Sequence, residues 1–544
     1  MNELNAAWSE ETIGSGDDNA VPTRGYQMLP TVGLGGSAGS IPALQAFLKK
    51  LPPDTGMAYV VVVHLSPEHE SSLAEVLQKS TSMPVVQLTR AEKIEADHVY
   101  VIPPGRALRM GEGTIGLADL PQDRSRHVVV DLFFRSLAEW YGPHAIAIVL
   151  SGADGDGAIG IKRIKERGGL TLAQDPGEAE VGSMPRAAIN TGMVDWVLPV
   201  AEMPERLVRY QRLEQQLKLP REDGPVPVET ARHVDDADET GLRDVLAFLR
   251  KRTGRDFSYY KRATIVRRIA RRMQVNAVDD LAGYLNCLRT QPGEAGALLQ
   301  DLLISVTNFF RDAQSFAALQ RYIPNLFKGK GVTDRVRVWV AACASGEEAY
   351  SIAMMLHEYA DTLEEAPLIQ VFATDLDENA IVIGRNGIYP SSIEADVSPE
   401  RLRRFFMREH AGYRVRRELR ETVLFALHDL LKDSPFSHLD MVACRNLMIY
   451  LSREAQVRLL HTFNFALQPD GLLFLGSSET VEEGSPLFGV LDKKHRIYGH
   501  RGAARAPLPL PMGVGVGALS APVAPQAKGS EILSVPGRGP TCLR

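Results

Sequence analysis

The chain has 544 residues, which is enough for several domains with separate hydrophobic cores. Its net charge of −6 argues against a general nucleic-acid-binding protein. No apolar run approaches the ~18–20 residues that a membrane-spanning helix needs, and the polar, acidic N-terminus is not a signal peptide. The four cysteines show no CxxC spacing. We therefore expect a cytoplasmic protein with reduced thiols, no membrane insertion and no nucleic-acid partner.

The pattern along the chain predicts two α/β domains separated by a linker and a helical subdomain. From 28 to 200, short apolar runs such as YVVVVH alternate with helical periodicity, which predicts a doubly wound parallel sheet. A Pro- and acid-rich stretch marks the linker. The predicted order is a disordered N-terminus (1–27), the first α/β domain (28–200), a helix and linker (201–240), a small all-α subdomain (241–320), a Rossmann-like domain (321–500) and a disordered tail (501–544).

The first candidate site starts from a serine at the end of an apolar strand. Ser37 lies in GGSAG, which matches G-x-S-x-G; the small neighbours allow the sharp turn that exposes a nucleophile. A serine hydroxyl needs a base, and His64 ends the next apolar strand. Asp156 follows a third strand in a Gly-rich loop. The order Ser–His–Asp differs from that of α/β-hydrolases, so we expect a different fold.

Other interpretations of these residues remain open on the sequence alone. A single G-x-S-x-G match is a weak signal, and a histidine at a strand end often serves as a cap. Asp154 and Asp156 have the D-x-D spacing of some metal loops. However, His64 and His69 are five residues apart, whereas the histidines of helical zinc sites are four apart. We therefore expect no metal.

Four motifs within 28–200 resemble the catalytic domain of the chemotaxis methylesterase CheB: VGLGGSAGSIPAL, VVVVHLSP, IVLSGADGDGAIGIKRIKERGG and AQDPGEAEVGSMPRAAINTGMVDWVLP. The resemblance implies that Ser37 is the nucleophile, His64 the general base and Asp156 its orienting partner. It also implies hydrolysis of γ-glutamyl methyl esters, and deamidation of glutamines, on the cytoplasmic helices of chemoreceptors. Departures are Ala38, where the family often has Thr, and the absence of room for a receiver domain before the first strand. We therefore expect no control by phosphorylation within this chain.

A basic helical segment follows the linker. In KRATIVRRIARRMQV, Ile265, Ile269 and Met273 share one face. The rest of the surface is largely covered by arginines: Arg267, Arg268, Arg271 and Arg272. A solvated amphipathic helix and a nucleic-acid-binding face are alternatives, although no aromatic residues are interleaved with the arginines. The third interpretation, which we adopt as a prediction, is docking of an acidic substrate helix.

The second candidate site lies in VWVAACASGEEAYSIA, where a loop of small residues leads into a helix near Glu347 and Glu348. The next strand ends in Asp375, a position at which a carboxylate commonly accepts both ribose hydroxyls of a nucleoside. The G-x-G-x-x-G motif of nicotinamide sites is absent. S-adenosylmethionine (SAM), which suits a looser and more acidic loop, is the expected cofactor.

Residues 243–499 resemble the chemotaxis glutamate methyltransferase CheR in KRATIVRRIARRM, LLISVTNFFRD, VWVAACASGEEAYSIA, VFATDLDENA, GIYP and DMVACRNLMIYL. The resemblance implies a class I SAM-dependent fold, S-adenosylhomocysteine as product, and Tyr450 facing the transferred methyl. The residues implied to line the SAM pocket are Ser305, Thr307, Arg311, Glu348, Asp375, Asp429, Leu430, Cys444 and Arg445. Ser305 and Asp429 stand where the family commonly has Asn. Residues 406–419 resemble its small β-hairpin, whose short turn here predicts no need for a tethering receptor peptide.

The chemistry of the second site requires little from the protein beyond alignment. A glutamate side chain, with a pKa of ~4.3, is already anionic at pH 7, so positioning and partial desolvation suffice. Arg311 is the expected positioning residue; alternatively, it forms a salt bridge between the helical and α/β parts.

We therefore expect a bifunctional enzyme that methylates and demethylates glutamates of methyl-accepting chemoreceptor helices, with separate response-regulator or kinase proteins as further partners. The alternatives are a SAM-binding signalling scaffold with one or both activities lost, and an enzyme acting on a small molecule.

Overall fold

The computed structural model describes residues 26–65, 71–119, 128–214, 216–220, 226, 237–409, 412–482 and 484–502. Of the segments predicted to be disordered, 1–27 and 501–544, all but residues 26–27 and 501–502 lie outside these ranges, as does most of the predicted linker. None of the described helices is long and apolar enough to cross a membrane.

The described part of the chain before the linker contains ten strands: β1 (Thr31–Gly36), β2 (Ala58–Val63), β3 (Val85–Gln87), β4 (Glu92–Lys93), β5 (Val99–Val101), β6 (Arg106–Met110), β7 (Thr114–Asp119), β8 (Ala145–Val149), β9 (Leu170–Gln174) and β10 (Trp196–Leu198). Seven of them form a parallel sheet in the order β10-β9-β8-β1-β2-β5-β3, and β4, β7 and β6 form a small antiparallel sheet. The central strands are buried throughout, as their continuous apolar sequences require.

The helices described in this half are α1 (Ser40–Lys50), α2 (Leu73–Gln78), α3 (Val129–Tyr141), α4 (Ala158–Glu166), α5 (Ser183–Asn190) and α6 (Met203–Glu214). The close approach of α3 to β1 depends on glycine. A Cβ added at Gly33 would lie 2.8 Å from ring atoms of both Phe133 and Phe134. The observed architecture confirms the predicted doubly wound parallel sheet.

Within the described residues, the all-α subdomain after the linker contains α7 (Ala237–Thr253), α8 (Arg262–Val275), α9 (Leu281–Thr290) and α10 (Glu294–Leu303). The predicted apolar face of α8 is buried, and Ile265, Ile269 and Met273 belong to the same hydrophobic core as Trp339 of the second α/β domain. The all-α subdomain therefore shares its core with that domain.

The second α/β domain contains β11 (Arg335–Ala341), β12 (Leu368–Asp375), β13 (Ile388–Tyr389), β14 (Phe406–Glu409), β15 (Gly412–Val415), β16 (Val423–Leu427), β17 (Leu439–Cys444), β18 (Leu467–Leu475), β19 (Phe488–Asp492) and β20 (Ile497–His500). Its sheet has the order β16-β12-β11-β17-β18-β20-β19; the first five strands are parallel and the last two antiparallel. Strands β13, β15 and β14 form a small antiparallel sheet at the predicted hairpin, whose turn at 410–411 lies outside the described residues.

The helices of this half are α11 (Ala313–Gln320), α12 (Ile323–Phe327), α13 (Glu347–Ala360), α14 (Glu378–Asn386), α15 (Pro399–Phe405), α16 (Arg417–Thr422) and α17 (Arg453–Ala466). In both large sheets the order of the strands reverses next to the first strand, between β1 and β8 and between β11 and β17. Such switch points leave a crevice at the carboxyl ends of the strands, where ligands bind in open α/β sheets. Ser37, His64 and Asp156 follow strands at the first of these edges, and Asp375 ends β12 at the second.

Candidate active sites

The first site brings together three side chains at the carboxyl edge of neighbouring strands. Ser37 follows β1, His64 follows β2 and Asp156 lies in the loop after β8. Ser37 Oγ is 3.2 Å from His64 Nδ1, and His64 Nε2 is 2.9 Å from Asp156 Oδ2. With a proton on Nε2, the ring donates to Asp156 and accepts from the serine hydroxyl. The structure thus places the three sequence-predicted residues in one hydrogen-bonded chain.

The nucleophile turn is tightly constrained by its neighbours. Ser40 donates from its hydroxyl to the Ser37 carbonyl at 2.7 Å, and the Ser37 amide donates to Ser151 at 2.9 Å. Gly39 has a φ of 75°, and a Cβ there would meet Glu180 and Ser151. Small residues are therefore required where the chain leaves β1 and enters α1.

The carboxylate of Asp156 is held by backbone amides at the N-termini of two helices. Its Oδ2 accepts from Val130 at 2.9 Å, and its Oδ1 accepts from Asp131 at 2.8 Å and from Gly157 at 2.9 Å. Free N–H groups at helix N-termini favour an anion in this position. The carboxylate is thereby fixed in the orientation that aligns the His64 ring.

Asp131 is a further acid at this site that sequence reasoning did not identify. It is buried, and its Oδ1 accepts from the Gly160 amide at 2.6 Å. Burial and the charge of Asp156 raise its pKa well above the usual range. A single acid within the apolar run VVVDLFF was the available signal.

The protonated form of His64 is stabilised by nearby carboxylates. Burial of the ring lowers its pKa, but the hydrogen bond and charge of Asp156, together with the charge of Asp154, outweigh this effect. The pKa of His64 is therefore raised above its usual 6.5. Asp154 Oδ2 lies 3.8 Å from His64 Nδ1. Among the described residues, which do not include His69, no group of three or more His, Cys, Asp or Glu side chains is arranged to hold a metal ion.

The second site centres on Asp375 at the end of β12. Its Oδ2 accepts from the Ala344 amide at 2.7 Å and its Oδ1 from the Asp377 amide at 2.8 Å. Burial raises the pKa of Asp375 to about 6, against the opposing effect of these amides. Asp375 lines a cavity together with Asp429 and Leu430. Tyr260, Phe257 and Arg255 line the same cavity and were not predicted from the sequence.

The residues present fit a bound nucleoside cofactor. The loop after β11 turns sharply, with left-handed backbone at Ala342 and Ala344 and with Gly346 at a φ of 93° before α13 begins. The hydroxyl of Ser305 is buried and has no hydrogen-bond partner within the described part of the chain. Thr307 is buried in the same loop between α10 and α11. The carboxylates of Asp375 and Asp429, which line the cavity, and the unsatisfied hydroxyl of Ser305 are groups suited to bind ribose and amino-acid moieties.

Arg445 connects the cofactor loop with the segment before α11. Its guanidinium lies 3.4 Å from the Glu348 carboxylate and donates to the Arg311 carbonyl at 3.0 Å. Burial and the charges of Glu479 and Glu348 raise the pKa of the neighbouring Cys444 thiol well above its usual value, so this thiol is protonated. Glu479, which was not predicted from the sequence, accepts hydrogen bonds from the backbone amides of Gly476, Asn446 and Met448.

Arg311 and Tyr450 are the residues expected to face the acceptor. Arg311 forms a salt bridge with Glu166 of the first domain, and Tyr450 lies within the electrostatic reach of the same carboxylate. Arg311 Nη2 donates to Glu166 Oε1 at 2.7 Å. Arg311 and Glu166 are both buried. Tyr450 is close enough for Glu166 to contribute to the rise of its pKa to about 12, which is due first to burial. Arg311 thus forms a salt bridge, which was the alternative considered for it, and the bridge reaches the first α/β domain.

Three of the four arginines predicted to dock substrate are buried against the first domain instead of forming a free face. Arg268 donates to the carbonyls of Lys165, at 2.9 Å, and Glu166. Arg271 donates to the Gly169 carbonyl at 2.9 Å and to the carboxylates of Asp195 and Asp301. Arg272 pairs with Glu294 and approaches Asp195 at 3.5 Å. Arg267 is exposed.

A cavity of about 570 Å³ separates the loop that contains Asp154 and Asp156 from the small antiparallel sheet of the second domain. Its walls include Asp154 and Asp156 on one side and Ser391, Glu394 and Tyr413 on the other. Beside it, Arg135 forms a two-pronged salt bridge with Asp396, with both N–O distances at 2.9 Å. The two α/β domains thus contact each other around both candidate sites.

Three family models match the chain in succession. Residues 32–207 match the CheB methylesterase, residues 240–303 the all-alpha domain of the CheR methyltransferase, and residues 305–497 its SAM-binding domain. Each model falls on the part of the fold with the corresponding architecture. Both matched families are enzymes.

Three relatives span different parts of the chain. An uncharacterized 104.1 kDa protein of Rhodobacter capsulatus is 37% identical over 80% of this chain and 47% of its own length, so the chain spans about half of it. The Escherichia coli chemotaxis protein methyltransferase is 37% identical, covering 47% of this chain and 88% of that protein. A protein-glutamate methylesterase/protein-glutamine glutaminase of Anaeromyxobacter dehalogenans is 37% identical, covering 36% of this chain and 57% of that protein. The chain therefore belongs to the CheB methylesterase and the CheR methyltransferase families, with both kinds of domain in one polypeptide.

Proposed function

We propose that this protein methylates glutamate side chains of chemoreceptor cytoplasmic helices, using SAM, and hydrolyses the resulting methyl esters. The observation that carries the proposal is the presence in one polypeptide of the hydrogen-bonded residues Ser37, His64 and Asp156 and of a nucleoside-type cavity lined by Asp375 and Asp429. The proposed setting is the cytoplasm, with separate response-regulator or kinase proteins as further partners. Deamidation of receptor glutamines by the same serine belongs to the proposal.

The esterase step is assigned to the first site. His64 takes the proton from Ser37 Oγ as the oxygen attacks the ester carbonyl, and Asp156 holds the ring and stabilises its charged form. Collapse of the tetrahedral intermediate breaks the bond to the methoxy group, which leaves as methanol with the proton from His64. Water then attacks the acyl-serine by the same route and regenerates the glutamate carboxylate and the serine.

The transfer step is assigned to the second site. When bound, SAM supplies a methyl group activated by its positive sulfonium. Asp375 would accept the ribose hydroxyls, while Asp429 and Leu430 would contact the adenine side of the cavity. Arg311 would orient the acceptor carboxylate, and Tyr450 would close the acceptor end against water. Because the carboxylate is already ionised, no residue needs to remove a proton.

The proposal is tested with labelled SAM and a panel of receptor cytoplasmic fragments. We expect label in the fragments that is released as methanol by base, and more steady-state label with the Ser37→Ala variant. Calorimetry that shows SAM binding without transfer to any receptor fragment would favour the scaffold alternative. Unchanged label in Ser37→Ala, with transfer intact, would contradict the esterase assignment alone.

A further inference from the structure

The acceptor end of the methyltransferase site contains a glutamate from the methylesterase domain. Glu166 is the last residue of α4, and its carboxylate is buried. One oxygen accepts from Arg311 at 2.7 Å and the other from Arg163 at 2.7 Å. A substrate glutamate would present the same functional group, and the proposed function assigns Arg311 to that group.

The charges around Glu166 favour its ionised form, the form that a methyl acceptor must have. Burial alone would raise the pKa of this carboxyl, but the charges of Arg311, Arg163 and Arg167 lower it well below its usual range. Tyr450 also lies within its electrostatic reach. The side chain is therefore an anion enclosed by the residues expected to receive the receptor carboxylate.

Backbone contacts hold the end of α4 in this position. Arg268 donates to the carbonyls of residues 165 and 166 in the last turn of the helix, where carbonyl groups are in excess of backbone donors. Arg271 donates to the Gly169 carbonyl, in the glycine turn that follows. These arginines belong to α8, the helix predicted to dock a substrate helix. The first domain thus presents a glutamate at the end of a helix to the basic surface and acceptor residues of the second.

We propose that Glu166 is an internal substitute for the acceptor glutamate, which keeps the methyltransferase site closed until a receptor helix displaces the end of α4. This inference rests on the proposed methyltransferase function. With an intramolecular competitor, the apparent association constant for the true acceptor is the intrinsic constant multiplied by the fraction of molecules in which the site is vacant. Receptor binding must therefore supply the free energy that moves Glu166 away from Arg311.

The test uses the full chain with S-adenosylhomocysteine and a synthetic receptor-type helical peptide that carries one glutamate. Calorimetry should show that Glu166→Ala binds this peptide about tenfold more tightly than the unmodified chain, with Glu166→Gln in between. The matched control is Arg135→Ala, which breaks another, half-buried interdomain salt bridge without vacating the acceptor site. We expect its affinity to change less than about twofold. A peptide with alanine in place of glutamate should bind to the unmodified chain and to the Glu166 variants with equal affinity.

A second measurement needs no substitution. Hydrogen exchange of the unmodified chain should speed up in residues 158–169 when saturating glutamate peptide is added. Equal peptide affinity for Glu166→Ala and the unmodified chain, or an equal gain in Arg135→Ala, would overturn the inference, as would unchanged exchange in 158–169. If Glu166→Ala gains affinity but no variant transfers methyl groups, Glu166 still occupies the carboxylate site and only the proposed transfer activity fails.

Discussion

The two ends of α4 face the two active sites, and each carries a carboxylate used differently. Asp156, just before the helix, is held by amides of its own domain and completes the serine site. Glu166, at the other end, is held by an arginine of the second domain and occupies the methyltransferase site. A nine-residue helix spans about 13 Å, so one short rigid element connects the two sites.

The serine site is complete within its own domain. The acceptor end of the methyltransferase site, in contrast, is filled by Glu166 of the neighbouring domain. Undocking of α4 would vacate Arg311 while leaving the Val130 and Asp131 amides on Asp156. We therefore expect the domain interface to control methyl transfer more strongly than ester hydrolysis. A chain with opposed activities that were both always available would consume SAM without net change.

The largest expected effect separates the two sites chemically. Ser37→Ala should lower methanol release from methylated receptor fragments by more than about 10³-fold, because no other nucleophile replaces the serine. Initial rates of methyl transfer in the same preparation should change less than about twofold. Parallel loss of both activities would show that the two sites cannot be treated separately.

The next prediction concerns the interface. Arg271→Ala should lower the free energy of unfolding by about 3–5 kcal/mol, because it removes one of the two cations that pair with both buried carboxylates, Asp195 and Asp301, and leaves Lys165 as the other. Although burial would raise the pKa of Asp195, the charges of Arg271, Lys165 and Arg272 lower it, so an anion is left behind. Guanidinium denaturation followed by circular dichroism measures the change.

Arg267→Ala, on the same helix but exposed, is the matched control. We expect a change of about 0.5 kcal/mol or less. Equal small effects of both substitutions would mean that the arginines of α8 do not hold the two domains together.

The pH dependence should differ between the sites. Ester hydrolysis requires neutral His64, whose pKa is raised above 6.5, so its rate should rise with pH through a midpoint above that value. Asp154→Asn removes one of the charges responsible and should move the midpoint to lower pH. The same group stabilises the fold fully below about pH 6.5 and loses this contribution as pH rises through its folded pKa. A pH–rate profile of hydrolysis, with transfer as the reference, measures the midpoint; an unmoved midpoint in Asp154→Asn would contradict the electrostatic cause.

Sequence patterns predicted the architecture because buried parallel strands and helices have distinct periodicities. The elements carrying Ser37, His64 and Asp156 could be placed at one edge because the carboxyl ends of parallel strands converge. The same reasoning placed Asp375 beside the small-residue loop. The catalytic and cofactor-binding roles of these residues are predictions.

The interface could not be predicted in the same way. Periodicity showed which face of α8 is apolar, but an arginine that donates to a distant carbonyl has the same local sequence as a solvated one. The contacts of Arg268 and Arg271 with residues 165–169 join positions about a hundred residues apart. Glu166 likewise lies in a motif that resembles the methylesterase family, and nothing local in that motif indicates a partner in the methyltransferase domain.

The smallest expected effect tests whether the cofactor cavity behaves independently of the filled acceptor end. Asp375 has a pKa of about 6, and only its ionised form can accept both ribose hydroxyls. SAM affinity, measured by calorimetry, should therefore be about fourfold weaker near pH 5.5 than near pH 7.5. Asp375→Asn should bind weakly at both values and lose the dependence. Glu166→Ala should keep it, because Asp375 and Glu166 serve different ligands; a flattened profile in that variant would mean that the occupant of the acceptor site also governs the cofactor cavity.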